Sequence, residues 1–537
     1  MRCIAQQLKL YHYCTKKSIV FLKKHLCIKL FLRIIIKSEK SVYLFLQENA
    51  VMILEENAFL RLRSDLSESF CNMSDVSVRE LDLGKARFYL YYISNHSSKL
   101  LINKFVIAPL SEYYLRGGFG ASLGGIITGN SFKTAKDIAE AQNAVLSGNC
   151  LILFEDMPSD IFGYICATRN DDGRGNDEPE TENVIRGPHD GFNESSEQNV
   201  MLLRRRIKNI HLKSEKISVG TITKTDIVIM YLDDIVNERA LGILRRRLSE
   251  IKASAVIDSG CVESFIQDNG YALYPTVGNS ERPDKVAGKL LEGRIAVIVD
   301  GSPVVLTVPY LFCEGLQVSE DYSKSSFFAT FVRGLRFAAL IFALYLPSLF
   351  TALVMHHSSF LPREMADHMA QTREGMTVSL VWEVITAFLI FEVLREVGLR
   401  MPKAVGSAVG IVGSLILGDS AVSAGIISPF VLIIVAFSAV CNFIAVPYMN
   451  PNSIYRLALI MISGAFGIFG FFAFSAVSLI LGCRKTSFGV PYFSPFAPIS
   501  VDGLSDFIYM APVWKNKNVP PSVSGRKLKR TKGKKPQ

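Results

Sequence analysis

Three glutamates lie in or beside one strongly apolar stretch toward the carboxy-terminal end of the chain. The stretch VSLVWEVITAFLIFEVL, residues 378–394, contains Glu383 and Glu392, and Glu396 follows shortly after. A carboxylate that faces lipid is costly, so such groups face protein or water or pair with an opposite charge. Carboxylates that line an aqueous route select cations. The chemistry that these residues could support is therefore cation passage.

Local ion pairs offer a second explanation for two of the three acids. Arg395 follows Glu392 by three residues and Arg400 follows Glu396 by four, spacings that bring side chains together on a helix. Glu383 has no residue of opposite charge within a helical turn, which makes it the better candidate for a water-filled path. Both explanations stay open for Glu392, and Glu383 and Glu392 are the candidate ion-pathway residues.

Small residues recur every four positions in the next apolar segment. They are Gly406, Gly410, Ser414 and Gly418. On a helix this spacing forms one row without bulk, against which a second helix packs closely, either within the chain or between copies. Glycines at 464, 467 and 470 repeat the theme at a spacing of three. Asp419, directly after the row, is expected to mark the turn between two membrane segments.

The composition indicates a membrane protein. The 537 residues are 49% hydrophobic, with a mean hydropathy of +0.27. A span needs about 20 apolar residues. The longest apolar segments are 327–355, 378–394, 405–418, 426–446 and 455–481. These segments predict an all-α multipass transmembrane bundle over residues 326–484.

Positive charge is concentrated at the two ends of the chain. The net charge is +10, with ten Lys/Arg in residues 1–40 and nine in residues 515–537. Such ends favour contact with membrane lipid, not nucleic acid. Basic residues before the first span, between 395 and 403, and after 484 all favour the cytoplasmic side. Because five spans would separate them, we expect four or six crossings, with one segment re-entrant or broken.

The amino-terminal part reads as water-soluble. Residues 53–325 alternate strand and helix patterns, which predicts an α/β cytoplasmic region. TDIVIMYLDDI predicts a strand, ERALGILRRRLSEIKA a helix, and RIAVIVDGSPVVLTV a hairpin. Residues 169–184 are expected to form a mobile loop. Residues 1–52 form a basic extension, which is either a surface helix or sequence upstream of a true start at Met52. Residues 485–537 are predicted to be a cytoplasmic basic tail.

Enzymatic and metal-binding signals are weak. The ten cysteines form no CxxC pair, and no HExxH, GxSxG or P-loop lysine motif occurs. We therefore expect no catalytic residue, metal or cofactor.

Several longer stretches of the sequence resemble the GerA spore germination protein family. The first is VIRGPHDGFNESSEQNVMLLRRRIK; then come ERPDKVAGKLLEGRIAVIVDGSPVVLTVP, LRFAALIFALYLPSLFTAL, EVLREVGLRMP, VGSAVGIVGSLILGDSAVSAGIISP and SFGVPYFSPFAP. The resemblance runs from about residue 53 to 520. The motif residues of the first stretch are Arg186, Gly187, Pro188, Gly191, Phe192, Glu194, Asn199, Arg204 and Arg206. The arginines either bind an anionic group or pair with acids of a neighbouring domain.

The resemblance implies an A subunit of a nutrient germinant receptor in the spore inner membrane. It implies a transporter-like B subunit that senses the nutrient, and a lipoprotein C subunit. It also implies that copies assemble into a homo-oligomer that forms a nutrient-gated cation channel. The alternatives are a SpoVAF-like paralogue that supports the dipicolinate channel complex, and a scaffold subunit that does not conduct.

Overall fold

The computed structural model describes residues 59–510 and 521–524. Gaps in that description fall at 85, 117, 119–122, 128–130, 156, 158–160, 171–177, 185, 271, 375, 377, 402–415, 505 and 508. The extension at residues 1–52 lies outside the described part. So do residues 511–520 and 525–537 of the basic tail, the centre of the expected mobile loop, and the first three residues of the small-residue row.

A first sheet unit follows a helix over residues 59–69. Its five antiparallel strands lie in the order Val76–Asp82, Arg87–Ile93, Cys150–Phe154, Tyr164–Cys166 and Phe132–Thr134. Its helical segments are Lys99–Ile102, Asn103–Ile107, Ala108–Leu115, Leu123–Ile126 and Ile138–Leu146. Alternate strand residues enter different cores: Tyr89 and Leu151 face one, whereas Phe88 and Ile152 face the other. Helices therefore cover both faces of this sheet.

A second sheet unit has the same strand number and the same antiparallel pairing. Its strands lie in the order Leu212–Val219, Thr225–Leu232, Ile295–Val299, Val305–Val308 and Gly278–Ser280. Its helices are Ser196–Arg206, Glu238–Glu250, Ser259–Ile266 and Pro283–Leu290. The strand, helix and hairpin that the patterns predicted are all present. The alternation of strands and helices had suggested an α/β arrangement, but every pairing between named strands is antiparallel.

Local sequence explains where the helices of this unit begin. The Asn237 side chain accepts hydrogen bonds from two backbone N–H groups of the first turn of helix Glu238–Glu250. Ala240, Leu244 and Leu248 form the buried stripe of that helix.

The carboxy-terminal part is a bundle of apolar helices, each named here for later use. The first bundle helix is Ser326–His356, the carboxylate helix is Leu380–Arg400, the short bundle helix is Pro429–Ile444, and the hairpin helix is Met449–Arg484. Shorter helical segments lie at Phe312–Leu316, Ser319–Ser323, Ser358–Phe360, Arg363–Arg373, 416–423, Val446–Tyr448, Val501–Leu504 and Pro521–Ser524. In the described part of the chain, two helices are long and apolar enough to cross a membrane, Ser326–His356 and Val446–Arg484.

The hairpin helix reverses direction at Gly467, where φ is 60° and ψ is −147°. The rings of Tyr455 and Phe474 are 5.3 Å apart. In a continuous helix these two residues would be separated by about 28 Å. The helix is therefore two antiparallel arms, an ascending arm (449–466) and a descending arm (468–484). The sequence had presented the whole segment as one span.

The bundle has two distinguishable ends. At the near end, which contacts the second sheet unit, Tyr448 donates a hydrogen bond to Phe312 O and Lys485 donates one to Tyr274 O. At the far end, His356 Nε2 lies 2.8 Å from Gly464 O. The first bundle helix ends at the far end. The reversal of the hairpin helix at Gly467, called its tip, also lies there, whereas its two ends at Met449 and Arg484, called its feet, lie at the near end.

The expectation that Asp419 marks a turn between two membrane segments is wrong. Asp419 is exposed on the helix at 416–423, and the chain turns later, at residues 424–428. Gly425, with φ of 66°, supplies the left-handed conformation in that turn. The sequence could not locate the turn because glycines and serines occur on both sides of Asp419.

The segments flanking the bundle are tied to the second sheet unit. Residues 486–491 form a strand pair, Thr486–Ser487 with Val490–Pro491.

The described part of the expected mobile loop is held by the second sheet unit: Thr181 Oγ1 donates to Glu281 at 2.7 Å, and Glu182 pairs with Lys285 at 2.5 Å.

Candidate functional site

Glu383 lies at the far end of the bundle and is fully buried. Its Oε1 accepts a hydrogen bond from the Ser428 N–H at 2.5 Å, whereas Oε2 has no hydrogen-bond partner among the described residues. Ser428 is the residue that caps the amino-terminal end of the short bundle helix. The carboxylate therefore faces the positive end of a helix dipole. No described Lys, Arg or His forms a salt bridge with it.

The surroundings of Glu383 are apolar. Leu380 and Val384 on its own helix belong to a buried cluster with Ile427 and Val431. A carboxylate with one unpartnered oxygen in such a cluster is an unfavourable arrangement for a purely structural residue. The arrangement suits a group whose surroundings change during function.

Glu392 has a different environment, nearer the other end of the helix. Its Oε2 lies 2.7 Å from Arg395 Nη2, and its Oε1 lies 3.1 Å from Arg456 Nη2. The Ser453 hydroxyl donates to Oε1 at 2.7 Å. The local pair with Arg395 is thus present, and a second arginine joins it. Two guanidinium groups around one carboxylate give a net charge of +1, which opposes the attraction of a cation.

Arg456 is the residue that sequence reasoning missed. It is 2% exposed, donates to the Ser438 hydroxyl at 2.7 Å, and lies 4.5 Å from the ring centroid of Phe388. The available signal was a lone arginine at the start of the apolar segment 455–481. Its acid partner lies 64 residues earlier, a separation that periodicity does not reveal.

The structure does not bring the two candidate carboxylates together. Glu383 and Glu392 are nine residues apart on one helix, which places them about 13 Å apart along the axis and on opposite flanks of it. Their role in an ion path stays a prediction, and the contacts favour Glu383 over Glu392. Glu396 pairs with Arg400 at 2.6 Å, and both side chains are largely exposed.

Only the last member of the small-residue row is described. Gly418 lies on the helix at 416–423, and a Cβ added there would lie 3.6 Å from Leu432 Cδ2, an ordinary contact. Gly406, Gly410 and Ser414 lie outside the described residues. At the hairpin tip, Gly464 does allow close packing, because an added Cβ would overlap Val381.

The motif in the amino-terminal region joins the two sheet units. Arg204 is fully buried in helix Ser196–Arg206 and donates to both oxygens of Asp75 in the first unit, at 2.8 and 2.9 Å. It also donates to Leu212 O at 2.6 Å. Burial would raise the pKa of Asp75, but the Arg204 charge and hydrogen bonds from Arg204 and Ser214 lower it below its usual value. Pairing with an acid of a neighbouring unit was one of the two expectations for these arginines.

The other motif residues have local roles. Arg206 pairs with Asp190, and the Asn199 side chain accepts from Asn193 N at 2.9 Å. Phe192 is buried in the core below the second sheet. The Glu194 carbonyl accepts from Gly301 N at 2.8 Å. Arg186 and Pro188 are exposed, Gly191 is buried, and Gly187, with φ of 150°, approaches Arg282.

One group among the described residues has the spacing of metal ligands. His211, Asp233 and Asp234 offer ligand atoms within 4.8 Å of one another, and all three are exposed. The His211 ring is hydrogen-bonded to Asp233 at 2.8 Å, which accounts for this grouping without an ion.

Known proteins resemble this chain over most of its length. The family model described as "Bacillus/Clostridium GerA spore germination protein" matches residues 64–522. Spore germination protein KA of Bacillus subtilis is 34% identical over 91% of this chain and 91% of its own length. Spore germination protein GerLA of Bacillus cereus is 31% identical over 85% of this chain and 94% of its own. A Bacillus subtilis relative named "Uncharacterized membrane protein YfkQ" is 32% identical over 86% of this chain and 92% of its own.

One solved structure also resembles it. The N-terminal domain of the A subunit of the Bacillus megaterium spore germinant receptor GerK3 is 27% identical. The match covers 46% of this chain and 93% of that domain, with a TM-score of 0.36. The family match spans both sheet units and the helical bundle. The chain belongs to the GerA spore germination protein family.

Proposed function

We propose that this chain is the integral membrane A subunit of a spore nutrient germinant receptor and that it forms the cation-conducting part. The family match over residues 64–522, and relatives that are named spore germination proteins, support the first half of the proposal. The observation that carries the second half is Glu383, a fully buried carboxylate without a cationic partner among the described residues.

The helical bundle lies in the membrane in this proposal. The ascending and descending arms have 18 and 17 residues, which is about 27 and 25 Å of helix and close to the thickness of a hydrocarbon core. Their outer surface is apolar, with Phe466, Phe469 and Phe472 each more than 60% exposed. Such a surface is stable in lipid and would aggregate in water.

The break at Gly467 reconciles the orientation signals. With the hairpin helix counted as two arms, the five apolar segments predicted from the sequence make six crossings in this proposal, so both flanks of the bundle lie on one side. Arg400 and Arg484 lie toward the near end, which the positive-inside rule assigns to the cytoplasm. The sheet units are then cytoplasmic, and the far end faces outward from the spore inner membrane.

Cation passage requires the bundle to change conformation. Glu383 has no access to solvent as described, so a route past it opens only when the short bundle helix and residues 416–428 move away from it. Glu392, already neutralised by Arg395 and Arg456, serves better to hold the helices together. We therefore place the route at Glu383, in a homo-oligomer of this chain surrounded by lipid.

The partners in the proposal are the transporter-like B subunit, which senses the nutrient, and the lipoprotein C subunit. The chain itself is proposed to be non-enzymatic and to need no cofactor. Its role is to convert a signal from the B subunit into ion release.

The test compares two glutamates of one helix. Spores that carry Glu383→Gln should release potassium about tenfold more slowly on exposure to nutrient, because the amide keeps a hydrogen-bond acceptor for Ser428 but loses the charge. Glu396→Gln is the matched control: the same change on an exposed residue should leave the rate unchanged. Membrane levels of both variants are measured by immunoblot. An unchanged rate for Glu383→Gln at normal protein level would contradict the proposal.

A further inference from the structure

Both feet of the hairpin helix are held by the second sheet unit and by the segment Phe312–Leu316, which directly follows the last strand of that unit and is tied to it by the Arg294–Glu314 ion pair. Tyr448 is the residue before the ascending arm, and Phe488 follows the end of the descending arm by four residues. Both side chains are fully buried. Neither contact serves the cation site at Glu383, which lies at the opposite end of the bundle.

Tyr448 fits a socket in the segment Phe312–Leu316. Its ring stacks on Phe312 with the centroids 5.0 Å apart, and its hydroxyl donates to the carbonyl of the same residue. Gly315 forms the floor of the socket, because a Cβ added there would lie 2.5 Å from Tyr448 Cζ. Tyr274, 6.0 Å away between centroids, closes one side. The absence of a side chain at Gly315 is therefore what admits the tyrosine.

Phe488 enters the core of the second sheet unit from the tip of a two-residue loop. Phe488 and Gly489 have φ of 49° and 82°, as the favoured turn of a strand pair requires. A left-handed backbone is disfavoured for a bulky residue. The ring nevertheless packs with Ile227 and Val297, and Arg247 lies 4.8 Å above it. Burial of the ring offsets the unfavourable backbone, which identifies this as a constrained position.

Hydrogen bonds fix the second foot further. The Ser487 hydroxyl donates to Thr276 O at 2.7 Å and accepts from Tyr310 N at 3.0 Å. Phe488 N donates to Asp268 at 2.8 Å. The descending arm therefore cannot rotate at its foot unless the sheet unit rotates with it.

We propose that Tyr448 and Phe488 are positioning residues through which the second sheet unit sets the tilt of the hairpin helix. Each arm extends about 25 Å from foot to tip, so a rotation of about 5° at the feet moves the tip by about 2 Å. Near the tip, Gly467 contacts His356 and Gly464 contacts Val381 of the carboxylate helix. A change in the sheet unit is thereby transmitted to the far end of the bundle. The proposal rests on the proposed function only for the consequence of that movement, a change in cation passage.

The experiment alters the socket around Tyr448 and measures hydrogen exchange at the tip of the hairpin helix. Hydrogen exchange of the full chain in lipid nanodiscs is followed by mass spectrometry for Gly315→Ala and for Gly288→Ala. Gly288 lies in the same sheet unit, and a Cβ added there meets no atom within 4 Å. We expect Gly315→Ala to raise exchange at least threefold in peptides covering residues 460–472, and Gly288→Ala to leave it unchanged. A structural effect alone would be confined to residues 310–316 and 445–450, and that outcome would overturn the proposal.

A milder variant protects the test against misfolding. Tyr448→Phe keeps the ring and removes only the hydroxyl, and it should raise exchange at the tip in the same direction by a smaller factor. If neither variant alters the tip while both alter the junction, the positioning role is wrong. If the tip responds but Glu383→Gln leaves potassium release unchanged, the mechanical link stands and the placement of the cation route fails.

Discussion

Replacing Arg204 by methionine should strongly destabilise the junction between the two sheet units. The guanidinium makes three hydrogen bonds, two to Asp75 and one to Leu212 O, and it is fully buried. Methionine fills a similar volume but leaves the Asp75 carboxylate, whose side chain is 9% exposed, without its cationic partner. A buried charge that has lost its partner is the costly species, not the pair itself.

The expected magnitude follows from that asymmetry. Removing one partner of a buried ion pair costs about 3–5 kcal/mol. With a urea dependence of about 2 kcal/mol per molar, the unfolding midpoint of the sheet region should fall by roughly 2 M. The double variant Arg204→Met with Asp75→Leu should cost less than either single variant, because no charge is left buried.

The pH dependence has a defined sign. The pKa of Asp75 is lowered in the folded protein, so its stabilising contribution is fully present above its unfolded pKa of about 3.9. That contribution is lost as the pH falls through the lower folded value. The difference in stability between the unmodified chain and an Asp75→Asn variant should therefore be constant from pH 7 to about 5 and shrink below pH 4.

The assay is pulse proteolysis of the full chain in detergent across a urea gradient, with immunodetection of the sheet region. Arg205→Met is a useful control, because Arg205 donates to the Asn170 carbonyl, not to a carboxylate. Its cost should be clearly smaller. A midpoint shift below about 0.5 M for Arg204→Met, or an additive double variant, would refute the reasoning.

Two further predictions concern the bundle. Gly467→Ala should destabilise the hairpin helix by about 1–3 kcal/mol, because the backbone conformation at this position is nearly exclusive to glycine. The measurement is the thermal unfolding midpoint in detergent. The control Gly334→Ala, where the added Cβ has no atom within 4 Å, should not lower that midpoint. Equal midpoints for the two would contradict the break at Gly467. Arg456→Gln should lower the midpoint by several degrees because Glu392 keeps only one cationic partner, whereas Arg400→Gln, at an exposed pair, should change it little. The reverse order would mean that the Arg456 pair is not a structural link.

Much of the second sheet unit follows from local pattern. Helix Glu238–Glu250 carries its cap at Asn237 and its buried stripe in the sequence itself. The strands Ile295–Val299 and Val305–Val308 flank the turn that Asp300-Gly301 predicts. The direction of the other strands did not follow, because the same alternation of strands and helices is compatible with parallel and antiparallel sheets.

The hairpin helix shows a different limit. Hydrophobicity measures solubility in lipid, and a folded pair of arms is as apolar as one long helix. The glycines at 464, 467 and 470 were interpreted as a packing row, and each does approach a neighbouring part of the bundle closely, at Val381, His356 and Phe466 respectively. That interpretation did not reveal that the chain reverses at Gly467. The even number of crossings was inferred from charge, and that inference left open whether one segment is re-entrant or broken and which segment it is.

The carboxylates show what sequence distance conceals. Arg395 was identified as a partner of Glu392 because it lies one helical turn away, and Arg456 was missed because it lies on another helix. For Glu383, the sequence showed that no residue of opposite charge lies within a helical turn. The structure adds that the Ser428 N–H is the single hydrogen-bond partner of its carboxylate in the described part of the chain.

The most direct measurement of the central claim is the nutrient-triggered current across planar lipid bilayers that contain the full chain together with its proposed B and C subunits, under a potassium chloride gradient. The account predicts a current whose reversal potential lies toward the potassium equilibrium value, with a conductance that Glu383→Gln reduces and Glu396→Gln does not. A bilayer that stays silent with correctly folded protein, or a reversal potential set by chloride, would contradict it.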